Sequence, residues 1–187
     1  MKLTVPNSLA DISVKQYKEL TDLNIDKHEN KWLVEAVCIL CNLERSLVEQ
    51  LTVEELSRIN AIVAKITDEE QNNQELQKKI EYKGKKYGFH PNLSKLTVGE
   101  FADLETYCGN GFFDNLNEII SILYRPIKTE GGDFYTIENY TGEIFPNYWD
   151  ELKMDVVMGA VNFFLSTGES LTRGLANSLT AEQVKTL

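Results

Sequence analysis

Apolar residues recur at helical spacing through most of this chain, and four stretches open with the same short phrase. The phrase pairs a Ser or Thr cap with a Glu or Gln three positions on, between flanking apolar residues. It occurs as Ile12-Ser13-Val14-Lys15-Gln16-Tyr17, Leu51-Thr52-Val53-Glu54-Glu55-Leu56, Leu96-Thr97-Val98-Gly99-Glu100-Phe101 and Leu179-Thr180-Ala181-Glu182-Gln183-Val184. Each reads as a capping box, in which the hydroxyl accepts an orphan backbone N–H and the Glu or Gln reaches back to the cap. Four helix starts follow. Ser13 opens a helix to about Leu23 with Val14, Tyr17, Leu20 and Leu23 as its stripe. Polar 24–30 separates it from a helix over Trp32–Asn42. There Trp32, Leu33, Ala36, Val37, Ile39, Leu40 and Leu43 cover more than one face, which predicts the centre of the core. Thr52 opens a third helix, striped by Leu56, Ile59, Ile62, Val63 and Ile66, and charged, amide-rich 67–79 continues as a helical tail or a solvated linker.

The period then changes. Ile80-Glu81-Tyr82-Lys83-Gly84-Lys85-Lys86-Tyr87-Gly88-Phe89 places aromatics on both sides of a Gly-containing turn, a hairpin signal ended by Pro91. Thr97 opens a helix to about Tyr107, and a second over Asn115–Tyr124 is stopped by Pro126. Ile127–Tyr140, with Gly131-Gly132 at its middle, reads as a second hairpin or a long ordered loop. Asp150 or Asp155 leads a helix through Val156, Val157, Ala160, Val161, Phe164 and Leu165. Beyond it Gly168, Gly174 and Thr180 divide the chain into short helical pieces. The expected fold is mainly α: one compact helical domain with one or two short β-hairpins. It divides into an N-terminal helical part (1–66), the charged stretch (67–79) and a hairpin-plus-helices part (80–187) packed with the first as one body. The caps fall at no constant period, so a stacked solenoid is not expected.

Composition narrows function by exclusion. At 187 residues, 42% hydrophobic and 26% charged, the chain suits one soluble domain. A net charge of −10 opposes a broad nucleic-acid footprint or binding to anionic membranes. No segment has the pattern of a signal peptide, and no apolar run reaches the ~20 residues of a membrane span. Three cysteines without an export signal are expected as reduced thiols in a cytosol.

Candidate chemistry is sparse. Cys38-Ile39-Leu40-Cys41 has CxxC spacing, but a redox pair needs an exposed low-pKa thiolate at a helix start, and these lie deep in an apolar helix, which predicts core packing. Zinc would need two further ligands, and Cys108, His28 and His90 supply no second close pair. Neither histidine has a nucleophile or carboxylate at a recognisable spacing. The acidic pairs Glu54-Glu55, Asp68-Glu69-Glu70 and Asp150-Glu151 read as helix-start or solvated charge. Gly109, Gly111, Gly131 and Gly132 form no phosphate-binding pattern. No catalytic residue, metal or cofactor is expected. Lys78, Lys79, Lys83, Lys85 and Lys86, interleaved with Tyr82, Tyr87 and Phe89, form the basic cluster. It reads as edge protection or a protein contact, with single-stranded nucleic acid as the alternative.

Several segments resemble small proteins of tailed-bacteriophage structural gene clusters. They are Tyr82-Lys83-Gly84-Lys85-Lys86-Tyr87-Gly88-Phe89-His90-Pro91-Asn92-Leu93, Leu96–Leu104, Ile122-Leu123-Tyr124-Arg125-Pro126-Ile127 and Met154–Phe164, with a looser match near Val5–Tyr17. The resemblance implies a non-enzymatic virion or assembly component of the tail or head–tail region, found in the virion or host cytoplasm. Its partners would be other phage structural or tail proteins, with homo-oligomerisation open, no membrane contact and nucleic acid disfavoured. A tail-assembly chaperone absent from the finished particle is the alternative, and a regulatory module contacting nucleic acid through Lys78–Lys86 is another. The aromatic-rich stretch from Phe134 to Trp149 holds either interface anchors or core packing. Arg125 is either a buried ion-pair partner or an interface residue. The interface candidates are Tyr82, Lys83, Lys85, Tyr87, Phe89, Tyr124, Arg125, Tyr135, Tyr140, Tyr148 and Trp149.

Overall fold

Ser13, Thr52 and Thr97 each cap a helix in the computed structural model, which describes residues 4–23, 30–67, 74–132 and 134–167. At Ser13 the hydroxyl accepts the Gln16 N–H and the Gln16 side chain accepts the Ser13 N–H, opening α1 (Val14–Thr21). The Gln16 amide also donates to the Ile39 and Leu40 carbonyls, so one side chain starts α1 and satisfies the end of α2 (Asn30–Cys41). A single turn, α3 (Arg45–Val48), precedes α4 (Val53–Thr67), where Thr52 and Glu55 exchange the same reciprocal bonds. The Thr180 box, Gly168, Gly174, His28 and Asp68-Glu69-Glu70 lie outside the described residues. So does most of the 67–79 stretch; its described part, from Gln74 on, is not helical.

Two hairpins follow, joined into one sheet. Strand β1 (Lys79–Tyr82) turns through Lys83 and Gly84, at φ +48° and +73°, into β2 (Lys85–Phe89). Positive φ at both turn positions suits the right-handed twist of the strands, and glycine at the second accepts it without strain. Helices α5 (Val98–Gly109) and α6 (Leu116–Leu123) come next. The chain then passes without a loop into β3 (Tyr124–Gly131), which returns as β4 (Phe134–Ile137). The sheet is antiparallel throughout, in the order β1-β2-β3-β4. A final helix, α7, spans 154–167.

This corrects the mainly helical expectation. The fold is mixed α+β, because β2 and β3 pair Tyr87 with Pro126, Gly88 with Arg125 and Phe89 with Tyr124, fusing the hairpins into a four-stranded sheet. Pro126 lies within β3 and does not simply end α6. Its ring pushes Arg125 into extended backbone, so the strand starts two residues before it, and its carbonyl accepts from the Glu138 N–H. Ladder pairing between residues so distant in sequence leaves no mark on local periodicity.

The centre of the core also moves. Helix α6 is its most enclosed element, with Leu116, Ile119, Ile120, Ile122 and Leu123 fully buried, whereas α2 buries one stripe of Trp32, Ala36, Val37 and Leu40. The chain's two ends of the fold are tied through the Ser13–Lys153 bridge, with Val14 N–H on the Leu152 carbonyl and Met154 N–H on that of Ile12.

Candidate functional site

The aromatic residues singled out by sequence converge on one wall of the sheet. Tyr82 and Tyr87, two strand partners' width apart on the same face, both meet Trp149 from the segment between β4 and α7. Tyr82 stacks on the indole at 5.0 Å between centroids, and Tyr87 meets it edge-on at 4.8 Å. Trp149 is drawn inward by α6: its backbone N–H donates to Asn117 Oδ1 at 2.7 Å and its indole N–H to Ser121 Oγ at 2.9 Å. Tyr148 closes the cluster, its hydroxyl 2.6 Å from that of Tyr87, while its carbonyl accepts from Tyr82 and Lys83. Lys83 Nζ also sits 4.5 Å from the centre of the Tyr148 ring. Burial and the Tyr148 hydroxyl push the Tyr87 phenol well above its ordinary pKa.

Most of these anchors therefore serve the chain's own core. Tyr82, Tyr87, Phe89, Tyr124, Arg125 and Trp149 are buried, and their contacts are internal. Tyr124 packs edge-on against Phe89 and donates its hydroxyl to the Gln77 carbonyl. Tyr135 packs over Gly88, where an added Cβ would come within 2.3 Å of its ring, and donates to the Phe89 carbonyl. Tyr140 donates to Asp103 on α5 at 2.6 Å. Tyr135, Tyr140 and Tyr148 remain half-buried, and Lys83 and Lys85 exposed.

Arg125 anchors a buried charge cluster that sequence reading did not assemble. Its guanidinium lies 2.6 Å from Glu100 Oε1, and His90 Nε2 is 3.8 Å from the same oxygen. Glu100 Oε2 meanwhile accepts the Thr97 N–H at 2.6 Å, so the cap glutamate doubles as the counter-ion of Arg125. Burial raises the Glu100 carboxyl pKa. The Thr97 hydrogen bonds, Arg125 and His90 outweigh it, leaving the group below its ordinary value. Burial, reinforced by Arg125, holds the His90 imidazole below its ordinary pKa despite Glu100. The cluster is a charge-compensated strut between α5 and β3. In sequence Arg125 reads as a buried ion-pair partner or an interface residue and Glu100 only as a helix cap; the structure takes the ion-pair reading and supplies the partner.

The basic cluster is largely spent on internal partners. Lys79 and Lys86 share Glu130 at 2.9 and 3.1 Å, and Lys83 is held by Tyr148. Cys38 and Cys41 are half-buried, not deep in the core, and burial raises both thiols, as it does Cys108. Among the described residues no group of His, Cys, Asp and Glu is arranged to hold a metal ion, and no helix is long and apolar enough to cross a membrane.

Beside the sheet, two features lie open at the surface. A cleft of about 340 Å³ lies between the β2–β3 wall and the segment 138–149, floored by Tyr87, Pro126 and Tyr148 and rimmed by Phe145. At the far end of the β3–β4 ribbon, Phe134 is 85% exposed on the edge strand. Neither Phe134 nor Phe145 stands out in sequence, because aromatic residues in a mixed stretch look alike until burial separates them. Compared with protein-family models, curated proteins and solved structures, the chain matches none of them.

Proposed function

We propose that this chain is a non-catalytic component of a tailed phage particle, acting through protein–protein contacts in the tail or head–tail region. The observation that carries the reading is the set of segments that resemble phage structural proteins. They correspond to the β1–β2 hairpin, α5, the α6–β3 junction and the start of α7, so the likeness falls on the elements that build the sheet and its packing. Support for a non-catalytic role comes from the buried polar groups. Glu100 and Arg125 compensate one another, Asn117 and Ser121 hold Trp149, and the thiols are raised by burial. The internally paired lysines favour a protein partner over nucleic acid.

Mass spectrometry of purified particles tests the proposal. A permanent subunit is present at fixed stoichiometry. Absence from particles, together with co-purification of the chain with unassembled tail proteins, would replace it with the assembly-chaperone reading.

A further inference from the structure

The cleft between the β2–β3 wall and the segment 138–149 joins flat apolar surfaces to unpaired negative charge. Tyr87, Pro126 and Tyr148 give it its floor. Glu138 and Glu143 line it as exposed carboxylates, and neither has an ion-pair partner among the described residues. Glu130, on the same pair of strands, contrasts with them by holding both Lys79 and Lys86. The Glu138 carboxylate lies near enough to Tyr87 to add to the raised pKa of that phenol, so charge and ring share one space. The cations nearby do not cancel it. Arg125 is balanced by Glu100, and Lys83, which does not line the cleft, is held at the Tyr148 carbonyl. Lys85 lines the opposite wall, but it is exposed, and its long side chain is free to turn into water.

A site of this kind suits a cation that is also flat. Aromatic faces attract positive charge through the ring quadrupole. A planar guanidinium stacks on such faces and binds carboxylates through paired N–H groups, whereas a compact ammonium does only the first of these well. A cavity of about 150 Å³ holds a benzene ring, so the roughly 340 Å³ here admits a guanidinium together with its methylene stem. We infer that the cleft receives an arginine side chain of a partner protein, stacked on the aromatic floor and paired with Glu138 and Glu143. The donor is a different protein and not a second copy. Arg45, Arg58 and Arg125, the arginines among the described residues, are each bound to glutamates of their own chain, and a net charge of −10 opposes self-association. The inference rests on the proposed function only in taking the partner to be a protein. Its test uses the purified chain, so it can fail while the protein is still found in particles, and the reverse.

Two-dimensional amide NMR of the full chain, titrated with Nα-acetylarginine amide, is the measurement. The backbone amides of 138–149 and the Trp149 indole N–H, which lines the cleft, should shift saturably with a millimolar Kd. Nα-acetylcitrulline amide has nearly the same shape and no charge, and should bind roughly tenfold or more weakly, the loss expected for a charge-assisted hydrogen bond. Glu138→Gln with Glu143→Gln should weaken the arginine probe by a similar factor. Both positions are exposed, and the amide spectrum itself verifies that the variant is folded. Glu81→Gln with Glu105→Gln removes the same charge from exposed positions outside the cleft and should leave binding unchanged. The inference is overturned if no saturable shift occurs up to about 10 mM probe, if the shifts lie away from the cleft, if citrulline matches arginine, or if the folded Glu138/Glu143 variant binds like wild type. Free arginine binding roughly tenfold tighter than the blocked amide would also overturn it, by making the cleft a small-molecule site.

Discussion

Replacing Glu100 by glutamine would remove one charge and almost nothing else. Glutamine still accepts the Thr97 N–H, so the capping box survives, and the side chain keeps its size. What is lost is the counter-ion of Arg125, which is only 8% exposed and lies 2.6 Å from the carboxylate. Breaking a buried pair by removing one partner costs about 3–5 kcal/mol. Arg125 borders two clefts through which water can approach, so the lower end, about 3 kcal/mol, is expected. For a chain of this length that is a fall in Tm of roughly 6–12 °C. Arg125→Met should cost a similar amount, by stranding Glu100. The double variant, left with neither charge, should recover most of one loss and reveal a coupling of about 2–3 kcal/mol in urea denaturation. If Glu100→Gln costs less than about 1 kcal/mol, or the two losses simply add to within about 0.5 kcal/mol, the strut does not hold α5 to β3.

The remaining expectations use other parts of the fold. Stability should fall with acid in two stages. His90 has a folded pKa below its unfolded value, so the unfolded chain gains a proton first as pH drops below about 6.5. Glu100, also depressed, adds its loss below about 4.3. Tm against pH should show the first stage flattened in His90→Gln, and an unchanged slope would refute it. Gly159→Ala should lower Tm by several degrees, about 1–3 kcal/mol, because the new Cβ on α7 would meet the Glu75 backbone carbonyl at 2.3 Å; a neutral result would mean that the non-helical segment at Glu75 shifts freely. Alkylation of the native protein near neutral pH should be slower at Cys38, Cys41 and Cys108 than for a free thiol, and fast modification would reopen the CxxC question. Single-stranded DNA should not bind even at low salt; steep salt-dependent binding would overturn the assignment of Lys79, Lys83 and Lys86 to internal partners.

Sequence alone determined what is local. Ser13, Thr52 and Thr97 open helices because a hydroxyl and a carboxylate or amide three residues on satisfy each other's backbone neighbours without help from the rest of the chain. Lys83-Gly84 makes a hairpin turn for the same reason, and Val14, Leu20 and the α4 stripe turn inward as their period requires. Tertiary structure decided everything that needs two distant segments to meet. Joining of β2 to β3 turned two hairpins into a sheet. Hydrogen bonds from Trp149 to Asn117 and Ser121 drew it into the core and left Phe134 and Phe145 outside, though all three lie in one aromatic stretch. Glu100 shows both levels in one side chain. Its cap is legible from Thr97 three residues earlier, while its pairing with Arg125 exists only because α5 folds against β3, where neither charge could be buried without the other.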